Sequence, residues 1–88
     1  MPALKPSAKF DKALARMDAI RRRRVVQALQ HFAANIHRPG LNFEKIKGTH
    51  YCSIRVSQGE RIVLRATDPD TFDLVDVGDH DTIYRRYG

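Results

Sequence analysis

The stretch YCSIRVSQGERIVLR, Tyr51 to Arg65, decides the fold. Cys52, Ile54 and Val56 alternate with Ser53, Arg55 and Ser57, the period of two that marks a strand with one wet face. After Gly59 the alternation resumes, with Ile62, Leu64 and Ala66 on one face and Arg61, Val63 and Arg65 on the other. A two-residue Gln58-Gly59 loop would set Val56 against Arg61 and Arg55 against Ile62, mixing apolar and charged side chains on both faces. The pattern therefore predicts either a three-residue loop, which opposes Val56 to Ile62, or a bulge. Downstream, Asp68-Pro69-Asp70 makes a turn and Thr71 to Val77 a third strand ending at Gly78, so the three form an antiparallel meander. Asp79 to Arg86 reads as a short helix or an irregular tail at the end of the sheet.

Upstream the period lengthens. Ser7 is placed to cap a helix whose Phe10, Ala13, Leu14 and Met17 form one apolar stripe. Asp18 is placed to cap a second, in which Val25, Leu29, Phe32 and Ile36 recur at helical spacing and Val26 and Ala33 widen the stripe. Asn35, Pro39 and Gly40 supply the stop signals. The expected architecture is α+β: a helical hairpin of about residues 7–37, its two apolar faces packed together, laid on a small antiparallel sheet.

Eighty-eight residues leave room for one domain, residues 1–88, with no internal repeat or linker. At 42% hydrophobic and 30% charged the composition is that of a folded chain and not a disordered one. The longest apolar runs, Phe32 to Ala34 and Ile62 to Leu64, are three residues, far short of the ~20 that span a bilayer. No apolar stretch follows Lys5 to serve a secretory signal, and the one cysteine, Cys52, excludes a disulfide framework and a cysteine-based zinc site. A cytoplasmic domain without metal or cofactor is expected. Cys52 alternates with the core face, so packing is its expected role.

The net charge of +6 favours acidic or polyanionic partners, and it is unevenly placed. Residues 1–48 carry 11 basic and 3 acidic side chains, residues 49–88 carry 5 and 7. The run Arg21 to Arg24 wraps most of a helix circumference and is expected to be solvated, raising the local concentration of an acidic partner or of RNA. Arg55 and Arg61, with Arg65 beside them, share the face away from the apolar set. Guanidinium groups on a rigid sheet can hold a phosphate bidentately and stabilise charge developing on it; the same pattern also fits a face kept soluble by pairing with Asp73 and Asp76. His80 and Tyr84 are four apart, on one side of a helical turn, with Arg85 adjacent. An imidazole with a pKa near 6.5 can pass a proton at neutral pH and a tyrosine can stack on a base, while the plainer reading is a surface histidine and a tyrosine anchoring a terminal helix. His31 and His37, six apart, offer no metal pair, and no phosphate loop, serine elbow or zinc signature is present.

Taken in order, "F..AL.RM", a basic helix, "RPGLNFEKIKG", "YCSIRVSQGERIVLR" and "VDVGDHDTIYRRY" resemble the RelE/ParE superfamily of bacterial toxins from type II toxin–antitoxin pairs, over about Phe10 to Tyr87. The resemblance implies the same α+β fold, usually opened by a first strand; only Ala3 to Lys5, flanked by Pro2 and Pro6, is available for it, so it is expected to be short or absent. It also implies ribosome-dependent, metal-independent cleavage of mRNA and inhibition of translation. Arg55 of "SIRV" and Arg61 of "ERIV" match strand positions that family ribonucleases use on the RNA phosphate, His80 and Tyr84 match a variant of the catalytic C-terminal segment, and Glu44 of "EKIK" matches a general base. Arg65, Arg85 and Lys47 are the expected further RNA contacts. The implied partners are a cognate acidic antitoxin, the ribosome and mRNA, with operator DNA reached only through the antitoxin complex and no membrane. ParE-like relatives instead inhibit DNA gyrase, and a non-catalytic, antitoxin-binding member is a third reading.

Overall fold

Both capping residues act where their spacing places them. In the computed structural model, which describes residues 1–88, the Ser7 hydroxyl accepts from the Phe10 amide to open α1 (Ala8–Ala15), and the Asp18 carboxylate accepts from the Arg21 amide to open α2 (Ala19–Ala34). Asn35 leaves the helical region and ends α2, and the chain turns through Gly40, whose φ of 95° is open only to glycine without strain. Five strands follow or precede: β1 (Ala3–Pro6), β2 (Glu44–Lys45), β3 (Cys52–Ser57), β4 (Glu60–Asp68) and β5 (Thr71–Asp79); α3 (His80–Tyr87) comes after them all.

The sheet runs β1-β5-β4-β3-β2, and this corrects two expectations. The antiparallel meander is present as β3, β4 and β5, and the short first strand left open at Ala3 to Lys5 is present as β1; it lies parallel to β5, pairing Ala3 with Thr71 through Pro6 with Leu74, so the sheet is mixed and not antiparallel. Edge position explains why Pro6 is tolerated there, since an edge strand has one side free of partners. The helices also do not form a hairpin packed chiefly on itself. Alpha1 lies on β5 and α2 on β3, each laying its stripe on the sheet. Met17 is buried beyond the end of α1, whereas Val26, expected to widen the α2 stripe, is exposed.

Parity in the β3–β4 hairpin is rescued by a bulge, not by a longer loop. Ser57 pairs with Glu60 across Gln58-Gly59, Val56 is the extra residue, and Arg55 then faces Arg61 and Ile54 faces Ile62. A second bulge at Val75 lets Phe72, Leu74 and Val77 all reach the core while Asp76 comes opposite Val63 on the other face. Twelve buried residues, with Phe10, Val25, Phe32, Ile54, Ile62 and Leu64 among them, form the core between helices and sheet. Phe32, Phe43 and Phe72 meet edge to face within it, ring centroids 5.1–5.9 Å apart.

The opposite face is not wet throughout. Asp79 caps α3, which is a helix and not an irregular tail, and Ile83 packs on Val63 and Ile46 in a small second core flanked by Tyr51, Val75, Tyr84 and Tyr87. No helix is long and apolar enough to cross a membrane.

Candidate functional site

Residues directly opposite in an antiparallel pair share a face, so the register lays out the side of the sheet that α3 covers. One row holds Glu44, Ser53, Val63 and Asp76; the next, toward the hairpin, holds Arg55, Arg61 and Gly78. Alpha3 starts just past Gly78, and the His80 amide donates to the Gly59 carbonyl at 2.8 Å, which ties the start of the helix to the β3–β4 turn. The His80 and Tyr84 rings lie against each other with centroids 4.6 Å apart, and the Tyr84 and Ser53 hydroxyls are 3.2 Å apart. His80 Nδ1 is 3.3 Å from an Asp81 carboxylate oxygen. The side chain is 49% exposed and so open to a substrate.

The predicted residues divide into two groups. Arg55, Arg61, His80 and Tyr84 come to one end of the α3-covered face, with Glu44 exposed at its edge in register with Ser53. Arg61 Nη1 donates to the carbonyls of Ser57, Gln58 and Glu60, so one guanidinium nitrogen holds the turn while Nε and Nη2 make no hydrogen bond. Arg65 is not part of the group. It sits four residues along β4, ~13 Å from Arg61 at 3.3 Å per residue, past the α3 contact, and is paired with Asp73 at 3.2 Å. Lys47 follows β2 at that same far end, exposed. Arg85 is exposed on α3 and enters no ion pair.

Alpha3 is pinned at both ends. At its start the Thr82 amide and hydroxyl both donate to the Asp79 carboxylate, at 2.9 and 2.8 Å, and these bonds, helped by Arg85, hold its pKa below the usual aspartate value. At its end the Asp76 carboxylate, with only 2% of its side chain exposed, accepts from Arg86 Nη1 at 3.0 Å and from the Tyr87 hydroxyl at 2.9 Å, with Lys9 Nζ of α1 3.6 Å away. Lys9 also donates to the Tyr87 hydroxyl at 3.0 Å. That bond and the phenol's charge raise the Lys9 pKa, while burial chiefly raises that of Tyr87. Sequence reasoning missed this cluster, although the Asp-x-x-Thr spacing of Asp79 and Thr82 was a legible cap signature.

Two further expectations are corrected. The run Arg21 to Arg24 is not simply solvated: Arg21 donates through Nε and Nη2 to Glu60 at 3.0 and 2.8 Å, and Arg22 donates to the Met17 carbonyl. Cys52 is half-buried, not part of the core, and burial pushes its thiol pKa up, away from nucleophilic use. No three His, Cys, Asp or Glu side chains gather in a way that could hold a metal ion.

A mixed five-stranded sheet in this order, with two helices on one face and a short third on the other, is the RelE-like toxin fold. The chain superposes on a chain of the RelB-RelE antitoxin-toxin complex from Methanococcus jannaschii with a TM-score of 0.71 at 22% identity, covering 96% of this chain and 99% of that one. The YoeB/ParE toxin from Agrobacterium tumefaciens gives 0.71 at 17% identity, over 89% and 98%. A chain of the intact RelBE toxin-antitoxin complex from E. coli gives 0.69 at 17%, over 89% and 95%. No protein-family model matches the sequence, and no curated protein matches it.

Proposed function

We propose that this chain is the toxin of a toxin–antitoxin pair and acts as a ribosome-dependent endoribonuclease on mRNA. The observation that carries the reading is the pairing of Arg55 with Arg61 on the sheet face where α3 sets His80 against Tyr84. Two guanidinium groups opposite each other offer planar donors to a phosphate, and a half-exposed imidazole stands at the adjoining helix start. The 2′-hydroxyl of one nucleotide attacks the neighbouring phosphorus, giving up its proton to a base, and the 5′-oxygen leaves with a proton, so the products are a cyclic phosphate and a free 5′-hydroxyl. Arg55 and the unengaged Nε and Nη2 of Arg61 stabilise the charge of the phosphorane. His80 protonates the leaving oxygen, Tyr84 orients the base or phosphate, and Glu44, at the edge of the same face, takes the nucleophile's proton. A substrate without a 2′-hydroxyl should survive.

The partners follow from the same reading: an acidic antitoxin, the ribosome and mRNA, with operator DNA bound only through the antitoxin complex. The solved RelE chains from M. jannaschii and E. coli are described as complexes with their antitoxins, which supports a protein partner here. Arg65 and Lys47, at the far end of the sheet, are assigned a part in substrate contact outside the cleavage centre, and Arg85 one beside it. Induced expression with parallel readouts tests the function. Mapped mRNA cuts that require ribosomes support it; a fall in gyrase supercoiling without cuts would replace it with a ParE-like action, and neither effect would leave an antitoxin-binding member.

A further inference from the structure

Between the middle of α2, the turn at residues 38–41 and the bulged end of β3 lies a cleft of about 170 Å³. Arg24, His31, Arg38 and Arg55 line it, and no carboxylate does. None of the three guanidinium groups enters an ion pair or a side-chain hydrogen bond elsewhere, although the chain has five ion pairs. Like charges gathered without a counter-charge repel, and an anion between them relieves that. Arg24 and His31 are seven apart on α2 and therefore share its face. The backbone around Arg38 is fixed from both sides, its amide donating to the Asn35 carbonyl at 3.1 Å and its carbonyl accepting from Leu41 at 3.2 Å. The Arg55 amide in turn holds the Leu41 carbonyl, so the turn is fastened to β3. Planar forked donors suit a tetrahedral oxyanion better than they suit water.

We propose that this cleft binds a phosphate group through Arg24 and Arg38, and that the phosphate is one of the RNA strand that is cleaved, next to the scissile one. The second half of the assignment rests on the ribonuclease reading above. Arg55 relates the two places: its side chain lies opposite Arg61 in the cleavage face, while its backbone borders the cleft, where its amide holds the Leu41 carbonyl. Beyond Pro39 the apolar lining is Ala28, Leu41 and Val56, all buried or half-buried against the core, so the cleft lacks the apolar anchor that a docking peptide would need.

The test uses the whole chain and a fluorescent 2′-O-methyl RNA oligonucleotide, which lacks the attacking hydroxyl and stays intact. Anisotropy titrations over a range of salt concentrations compare wild type with Arg38→Gln, Arg24→Gln and Arg38→Lys. Each glutamine variant should lose about tenfold in affinity, with the slope of log K against log salt smaller by about 0.7. The lysine variant, which keeps charge but not the fork, should fall between and guards against a glutamine variant that melts early. Unchanged affinity and slope in variants that melt like wild type would overturn the site. So would unchanged RNA binding with weakened binding of an acidic peptide, which would give the cleft to a protein partner. Competition by millimolar inorganic phosphate, with the same effect on wild type and Arg38→Gln, would overturn the strand assignment. If wild type cuts no mRNA on ribosomes while the variants still lose RNA affinity, the cleft stands and the cleavage reading falls.

Discussion

At the scale of single residues, Arg61 has two roles that separate by experiment. Its Nη1 closes the β3–β4 turn on three carbonyls, so Arg61→Ala should lower stability by about 1 kcal/mol in urea titrations as well as abolish growth inhibition. Arg61→Lys should restore much of the melting behaviour and little of the cleavage, since an ammonium cannot reproduce the fork. His80→Ala is expected to lower ribosome-dependent cleavage by about 10²–10⁴-fold. Tyr84→Phe, which deletes only the hydroxyl facing Ser53, tests whether orientation of that ring matters: a less-than-additive double mutant means that the two act as a unit, and wild-type rates for both would remove them from the site. The face that Arg55 shares with Arg61 and the contact of His80 with Tyr84 were legible because each follows a simple periodicity. Arg21 was not, because its partner Glu60 lies 39 positions away and a run of four arginines carries no mark of which one finds a carboxylate. Arg21→Ala should destabilise by about 1–3 kcal/mol, and Glu60→Gln should recover part of that by removing the stranded charge.

Among the elements, α3 is the one whose position the chemistry depends on, and its two ends answer to opposite extremes of pH. Asp79 has a folded pKa below its ordinary 3.8, so its capping contribution is present above that value and is lost as acid protonates it. Lys9 and Tyr87 have folded pKa values above their ordinary 10.5 and 10.0, so their contribution is complete below pH 10 and is lost as alkali removes their protons. Amide exchange should therefore open the His80 end first below about pH 4 and the Tyr87 end first above about pH 10; uniform opening in both would contradict the two-pin description. Tyr87→Phe, which leaves the buried Asp76 carboxylate one donor short, should cost about 1–3 kcal/mol. The strand alternation of β3 and β4 could be read from the sequence because the pattern keeps its period up to the bulge. Beta5 was legible as a strand but its faces were not, since Phe72-Asp-Leu-Val-Asp-Val breaks the period at Val75, and only the paired strand shows that the break turns Asp76 away from the core. Beta1 was left open as short or absent because of its prolines, which an edge strand accepts and an interior one would not.

For the whole molecule, charge sets the expected behaviour toward partners. The basic excess of residues 1–48 predicts that an acidic antitoxin binds less tightly as salt rises; a flat response across salt concentrations would show that charge contributes little to that complex. The α+β class and the order of its parts were readable, but the mixed sheet was not, because a pairing across 68 positions leaves no local trace. That pairing also sets an order of assembly. Beta1 stays without a partner until β5 has been synthesised, and closing so long a loop delays its capture. Alpha3, with His80 and Tyr84, follows β5 in the chain and docks on a face that β3 and β4 must already have built. The growing chain thus carries Arg55 and Arg61 before His80 and Tyr84 are added, and on the ribonuclease proposal the site is assembled only when the last strand and the last helix have docked.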